Sequence, residues 1–377
     1  MSKLDKIIVI GDLKIPTVEL SKKLTENFSQ NGLKREISLI SKLGNGSFGY
    51  VYEIIYNRIP NRYAIKIMAI IKNKDDRENC LEINIKQEIN LSRNLFNANI
   101  IKSVVATNFI YETKDKKYSI FAVIMEKAKY RDLNLFISHF QKHNILKLTM
   151  NTIKFDYIHL MCEYTMKFFL KQIIKGLFFL NTNNLIHGDI KPGNILIGEN
   201  YVLKLCDFSI TKSIPKEKTI HVSSGTDEFS PPESFKRSKI SRINAGKNDI
   251  HATGCILFTM QNQKNLVSKN NGKLSEKDCK KQIIKGIKEE NDLNFYSKCC
   301  KEFTNNLIAV DPDKRFNHIQ ALEDQWLNDD EKVIKKICQL NECEKGIKMF
   351  IEFQKENAIV NCGYKNKIKR NKFKIAT

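Results

Sequence analysis

A chain of 377 residues, 42% of them hydrophobic, is long enough to bury one large core or two modest ones. Its start, MSKLDKIIVIGDLKIP, has only a short apolar run and no small-residue cleavage site, and FFLKQIIKGLFFL is interrupted by two lysines, so neither a secretory leader nor a membrane span is expected. The formal charge of +21 suits a polyanion partner or a surface decorated throughout with lysine; the lysines are spread, with one concentration in KNKIKRNKFK (365–374), so the second reading is favoured and nucleic acid bound through that tail is the lesser one.

In chain order, residues 1–35 read as a short polar N-terminal extension. From Ile37 to Met68, β-branched and aromatic residues dominate ISLISKLGNGSFGYVYEIIYN and YAIKIMAI, which predicts strands with a break over Ile59–Arg62. The apolar spacing turns helical from about Leu81 to Leu95, and YSIFAVIMEKA (118–128) is again a strand. Residues 141–162 read as an insertion, followed by a long amphipathic helix over 163–184 with an Asn-rich stop. Beyond residue 230 the patterns are mostly helical, and 329–377 form a helical, basic tail. Strands first and helices later predict an α+β fold in two lobes. A small β-rich lobe with one main helix covers about 36–126, and a larger, mainly α-helical lobe covers about 127–328. The ten cysteines form no C-x-x-C pair, and Cys299 and Cys300 are adjacent; they read as reduced thiols of an intracellular protein, cytoplasmic or nuclear.

The stretch Gly44, Asn45, Gly46, Ser47, Phe48, Gly49 fits G-x-G-x-x-G. A dinucleotide fold needs a helix immediately afterwards, yet YVYEIIY is strand-forming. A glycine turn between two strands can instead lay backbone N–H groups over a triphosphate, because a Cβ would block the approach. An ordinary glycine-rich hairpin is the competing reading. Lys66 follows Gly49 by 17 residues, inside an apolar strand where an unpaired ammonium is costly to bury. Its expected partner is Glu88 in KQEINLSRNL, with Glu82 as a rival.

HGDIKPGNIL (187–196) places Asp189, Lys191 and Asn194 together, and Asp207 follows in VLKLCDFS. Phosphoryl transfer from a nucleoside triphosphate needs a carboxylate to orient the attacking hydroxyl, oxygen ligands for Mg²⁺, and cations to offset charge on the transferring group. Asp189 suits the first role, Asn194 and Asp207 the second, and Lys66 with Lys191 the third. Mg²⁺ takes hard oxygen donors and few protein ligands, so one carboxamide and one carboxylate suffice.

From about residue 36 to 328 the chain resembles a eukaryotic protein kinase of the serine/threonine type. G-x-G-S-F-G-x-V (Gly44 to Val51), Y-A-I-K ending at Lys66, HGDIKPGN and Asp207-Phe208-Ser209 resemble, in order, the glycine-rich loop, the lysine strand, the catalytic loop and D-F-G. Gly225-Thr226 through PPES resembles the end of an activation segment, DIHATGCIL (249–257) the helix whose aspartate anchors the catalytic loop, and DPDKRFNHIQALEDQWL (311–327) the closing motif, whose Arg315 would pair with Glu233. The resemblance implies ATP and Mg²⁺ as cofactors and a protein substrate. It implies Glu126 and Ala128 as hinge groups for adenine after a gatekeeper Met125, and Leu43, Val51, Ala64 and Leu196 against the base. Asp132 would meet the ribose. Lys191 with Thr226 favours the serine/threonine branch.

Three positions depart from the family pattern. Gly188 replaces an arginine that grips a phosphate on the activation segment, which implies altered regulation with chemistry intact. Ser209 replaces the D-F-G glycine, and Ser92 stands where an apolar residue packs near Phe208 and His187. A catalytically dead, kinase-shaped scaffold is the rival reading, and the presence of Lys66, Asp189, Asn194 and Asp207 argues against it. The sequence assigns no subfamily, physiological substrate or oligomeric state.

Overall fold

The computed structural model describes residues 7–10, 12–29, 35–46, 49–72, 76–138, 161, 163–214, 219–220, 225–236, 240–269, 274–292 and 296–328. Ser47, Phe48, the 141–162 insertion apart from Met161, Ser223, Ser224 and the 329–377 tail lie outside the described residues.

A five-stranded antiparallel sheet forms the first lobe, from β3 (Ile37–Gly46), β4 (Gly49–Tyr56), β5 (Ile59–Ile71), β6 (Ser103–Glu112) and β7 (Lys117–Glu126), in the order β3-β4-β5-β7-β6. Strand alternation divides its residues between two faces. Met68, Ile70, Phe121 and Val123 pack with Ile85 of α2 (Asp76–Asn94), whereas Ile65, Ile67, Ile120, Ala122 and Ile124 face away from it. The expected break at Ile59–Arg62 is strand, and the turn lies earlier. Asn57 and Arg58 both take positive φ, 50° and 64°, between the partners Tyr56 and Ile59. Two left-handed residues in succession make the tight hairpin turn that matches strand twist. The helix expected from Leu81 starts earlier, at Asp76.

The described residues of the polar lead expected over 1–35 belong to the lobe. A hairpin of β1 (Ile7–Ile10) and β2 (Leu13–Pro16) runs into α1 (Thr17–Phe28). Ile8, Ile10, Leu13, Ile15, Leu20, Leu24 and Phe28 are buried with the sheet face that α2 leaves uncovered. The sheet is therefore apolar on both faces and covered on both.

The second lobe is helical. After α3 (133–138), α4 (Glu163–Thr182) runs through its core, and Met166, Phe169, Leu170, Ile173, Ile174, Leu177 and Leu180 are all at most 1% exposed. Short strands β8 (Leu185–Ile186), β9 (Ile195–Ile197) and β10 (Leu203–Leu205) carry the segments that follow. Then come α5 (Arg242–Ala245) and α6 (Lys247–Asn262), the latter buried along nearly its whole length. Beyond them, α7 (Glu276–Asp292), α8 (Lys298–Leu307), α9 (His318–Glu323) and α10 (Gln325–Asn328) complete the lobe. Among the described residues no helix is long and apolar enough to cross a membrane. The observed α+β architecture is the bilobal one expected.

Candidate active site

The site begins on β5. Ala64 and Lys66 share the face of Met68 and Ile70, so the strand's own alternation points the lysine between α2 and the second lobe. Lys66 Nζ donates to Glu88 Oε1 at 2.5 Å and to Asp207 Oδ1 at 3.3 Å. Burial opposes the lysine's charge, but the two carboxylates outweigh it and hold the ammonium above the ordinary lysine value. Burial lifts the Glu88 carboxyl while Lys66 pulls the other way, and Glu88 Oε2 has no partner among the described residues. The rival Glu82 pairs with Lys86 instead, at 2.7 Å on the same helix.

The catalytic-loop segment is fixed from below by α6. Asp249, buried, accepts the backbone N–H of His187 at 2.8 Å and of Gly188 at 2.9 Å. Burial raises the Asp249 carboxyl, against the pull of His187 and of those two N–H groups. Asp189 stands next, with Lys191 Nζ at 2.8 Å from Oδ2 and Asn194 Nδ2 at 2.9 Å from the same oxygen. Thr226 donates to Oδ1 through its N–H at 2.9 Å and its hydroxyl at 2.8 Å, and Lys191 reaches Thr226 Oγ1 at 2.9 Å. Burial works against the ionised Asp189, yet these bonds from Lys191 and Thr226 prevail and hold its carboxyl below the usual range. Gly225 lets the two segments meet, since a Cβ there would lie 2.7 Å from Asp189 Oδ1.

Asn194 directs its amide hydrogens at Asp189, the backbone oxygen at 2.8 Å and the carboxylate at 2.9 Å, so its carboxamide oxygen is not used in holding Asp189. Asp207 takes φ +66°, a left-handed conformation that aspartate tolerates better than most residues. The ring of Phe208, buried, lies 5.3 Å from that of His187, whose Nε2 is 3.1 Å from the Cys206 carbonyl. Ser92 is buried and bonds its own helix, its hydroxyl donating to the Ile89 carbonyl at 3.0 Å.

Strand pairing and one bridge link several of the residues expected to meet a nucleotide. Val51 is the cross-strand partner of Lys66 and Ala64 that of Met125, while Asp132 bridges to Leu196. Glu126 is tied to Lys102 N at 2.7 Å and to Lys204 Nζ at 2.9 Å, and no described residue accepts the Ala128 N–H. Asp132 also caps α3, accepting from Leu135 N at 2.9 Å. Gly44, Asn45, Gly46 and Gly49 form the tips of the β3–β4 hairpin, paired Gly44 with Val51, Asn45 with Tyr50 and Gly46 with Gly49. One contact was not foreseen: Arg131, at φ +65°, donates from Nη2 to the Leu43 carbonyl at 3.0 Å, joining the segment after the hinge to the root of the glycine loop. Nothing in KYRD marks that arginine, because the bond depends on a left-handed residue that no apolar pattern records.

Below the site, Arg315 forms a two-point ion pair with Glu233, at 2.6 and 3.1 Å. The four polar residues on which the reading rests, Lys66, Asp189, Asn194 and Asp207, thus come from both lobes into one place. Cations, carboxylates and a carboxamide gathered in this way are the groups that phosphate chemistry uses. Residues 37–327 match the family described as "Protein kinase domain", and the chain belongs to that family.

Among curated relatives, it is 26% identical over 317 residues to the serine/threonine-protein kinase cds1 of Schizosaccharomyces pombe, covering 81% of this chain and 62% of that one. It is 26% identical over 295 residues to the meiosis-specific serine/threonine-protein kinase mek1 of the same organism, covering 75% and 57%. Similarity to the serine/threonine-protein kinase 4 homolog B of Dictyostelium discoideum is 30% over 212 residues, covering 56% and 16%. The chain spans less than two thirds of the length of each of these relatives.

Proposed function

We propose that the protein is an intracellular serine/threonine protein kinase that moves the γ-phosphoryl group of ATP to protein hydroxyls with Mg²⁺. The observation that carries this is Asp189, held ionised by Lys191 and Thr226 at 2.8 to 2.9 Å while Asn194 and Asp207 present oxygen donors nearby. Bound Mg²⁺ would be held by the Asn194 carboxamide oxygen and the Asp207 carboxylate, and would neutralise phosphate charge. The donor set fits: it is all oxygen, with few protein ligands, as a hard and strongly hydrated cation requires.

The chain's own groups then divide the work. Lys66, fixed by Glu88, would offer its ammonium to the nucleotide phosphates, with the backbone of Gly44, Asn45, Gly46 and Gly49 on their other side. Val51, Ala64, Met125 and Leu196 would enclose the base, with Glu126 and Ala128 at the hinge and Asp132 toward the ribose. Asp189 orients the acceptor hydroxyl and takes its proton as the oxygen bonds to phosphorus and ADP leaves. Lys191 faces the transferring group from the acceptor side. None of six described cysteines is in a disulfide, in keeping with a reducing, intracellular location.

Purified protein incubated with γ-labelled ATP and a generic protein acceptor, with and without Mg²⁺, tests the reading. Label on serine or threonine only when Mg²⁺ is present is the expected result. No transfer by well-folded protein under any metal condition would overturn it.

A further inference from the structure

An open cavity of about 560 Å³ adjoins the catalytic loop on the side of the second lobe. It begins at Lys191, whose ammonium lies 2.8 Å from Asp189 Oδ2, so a segment that brings a hydroxyl to Asp189 passes its mouth. Asn134, Thr259 and Asn265 supply its neutral polar wall, Phe229 an apolar one and Gly193 an opening. Among the described residues lining it there is one cation and no carboxylate.

That composition decides what can enter. A substrate arginine or lysine would give up water there without a counter-charge, which is unfavourable. Carboxylates close to the lining residues in sequence already answer to cations: Asp189 to Lys191, Asp227 to Lys269 at 2.8 Å, and Glu228, which also acts on Lys269. Space is not what excludes an acidic wall, because a Cβ built on Gly193 meets nothing within 4 Å. The formal charge of +21 adds a long-range field that draws anionic segments.

We infer that this cavity selects acidic segments of the protein substrate, with aspartate, glutamate or phosphorylated side chains beside the acceptor hydroxyl, over basic ones. The inference rests on the phosphoryl-transfer reading above and adds the substrate class to it.

Three synthetic peptides sharing one acceptor serine, flanked by aspartates, by arginines or by neutral residues, test it on the full-length chain. The expected kcat/KM is about tenfold higher for the acidic peptide than for the basic one, with the gap narrowing as salt is added. Gly193→Glu, and separately the exposed isosteric pair Asn134→Asp with Asn265→Asp, should lower the acidic-to-basic ratio about three- to tenfold. Because the readout is a ratio, a general loss of turnover in a variant does not disturb it. Equal or better use of the arginine peptide by the parent would overturn this inference and leave phosphoryl transfer standing. An unchanged ratio in both folded variants would also overturn it, by removing the cavity as its source. Failure to phosphorylate any peptide, or a generic protein acceptor, would instead overturn the reading beneath it.

Discussion

Asp249 receives the Gly188 N–H at 2.9 Å, and Gly188 makes that bond at φ +81°. A residue with a Cβ is strained in that conformation, although there is room for the atom itself, with the Ile210 carbonyl 3.4 Å away at ordinary contact distance. The glycine therefore suits the backbone that presents Asp189, and it leaves the carboxylate's own partners, Lys191, Asn194 and Thr226, in place.

Gly188→Ala should lower stability by roughly 1–2 kcal/mol, the strain of a left-handed alanine, seen as an earlier urea midpoint. The parent protein, stripped of phosphate by phosphatase, should retain its transferase activity. Strict dependence on phosphate at Ser223 or Ser224 would refute the expectation that Gly188 changes regulation and leaves chemistry intact.

On the proposed mechanism, Asp189→Asn removes the base and keeps the shape. Turnover should fall by roughly 10²–10⁴-fold with nucleotide affinity nearly unchanged, measured by steady-state kinetics beside equilibrium binding. The Asp189 carboxyl lies below its usual range, so its protonation should produce no loss of kcat/KM across neutral pH. An acid limb near neutrality that vanishes in the variant would contradict this.

The site was more legible than the frame around it, for a physical reason. Lys66 is visible because an ammonium within YAIKIMAI demands a buried partner, and Glu88 supplies one at 2.5 Å. Asp189, Lys191 and Asn194 sit in one short string, so local spacing carries most of their geometry. The first 28 residues were opaque: two strands of four residues are too short for a periodic signal, and α1 reads as polar because only Leu20, Leu24 and Phe28 face inward. Their meaning comes from the sheet face of Ile65, Ile67 and Ile124, which is distant in sequence. Ile59 and Pro60 looked like a breaker, yet the chain reverses at Asn57–Arg58, where both residues accept positive φ.

Leu24 tests whether the N-terminal segment is structural. It is 0% exposed and belongs to the core shared with the sheet. Leu24→Ala should destabilise the protein by about 2–5 kcal/mol, by lost transfer energy plus the cavity left behind. Val18, 83% exposed on the same helix, is the control, and Val18→Ala should move the urea midpoint little. Equal effects at both positions would mean that the helix does not hold the sheet.

Arg315 and Glu233 make a further test, because the Arg315 side chain is 0% exposed. Glu233→Ala leaves a buried guanidinium with backbone acceptors only, Ala309 at 2.9 to 3.0 Å and Lys247 at 3.4 Å. Loss of one partner of a buried pair should cost about 3–5 kcal/mol, read from urea denaturation. A midpoint equal to the parent's would show that those carbonyls alone satisfy the charge.

Two buried imidazoles predict how stability follows pH. His318, 5% exposed, has its pKa lowered from 6.5 to about 4 by burial, and His251, 0% exposed, is lowered well below 6.5, first by burial and then by Arg315. Both are neutral in the folded protein at pH 7, where the unfolded chain is also mostly unprotonated, so neither changes stability much there. As pH falls below 6.5 the unfolded state takes up protons that the folded state refuses, and stability declines until the folded pKa is reached. For His318 that window runs from 6.5 down to about 4, with a slope approaching roughly 1.4 kcal/mol per pH unit for each histidine. Urea midpoints at pH 7 and pH 5 should therefore differ in the parent, and His318→Gln, which removes one titrating group, should narrow the difference. Identical midpoints at the two pH values would mean that the folded protein accepts these protons, and the neutral, buried state of both rings would have to be abandoned.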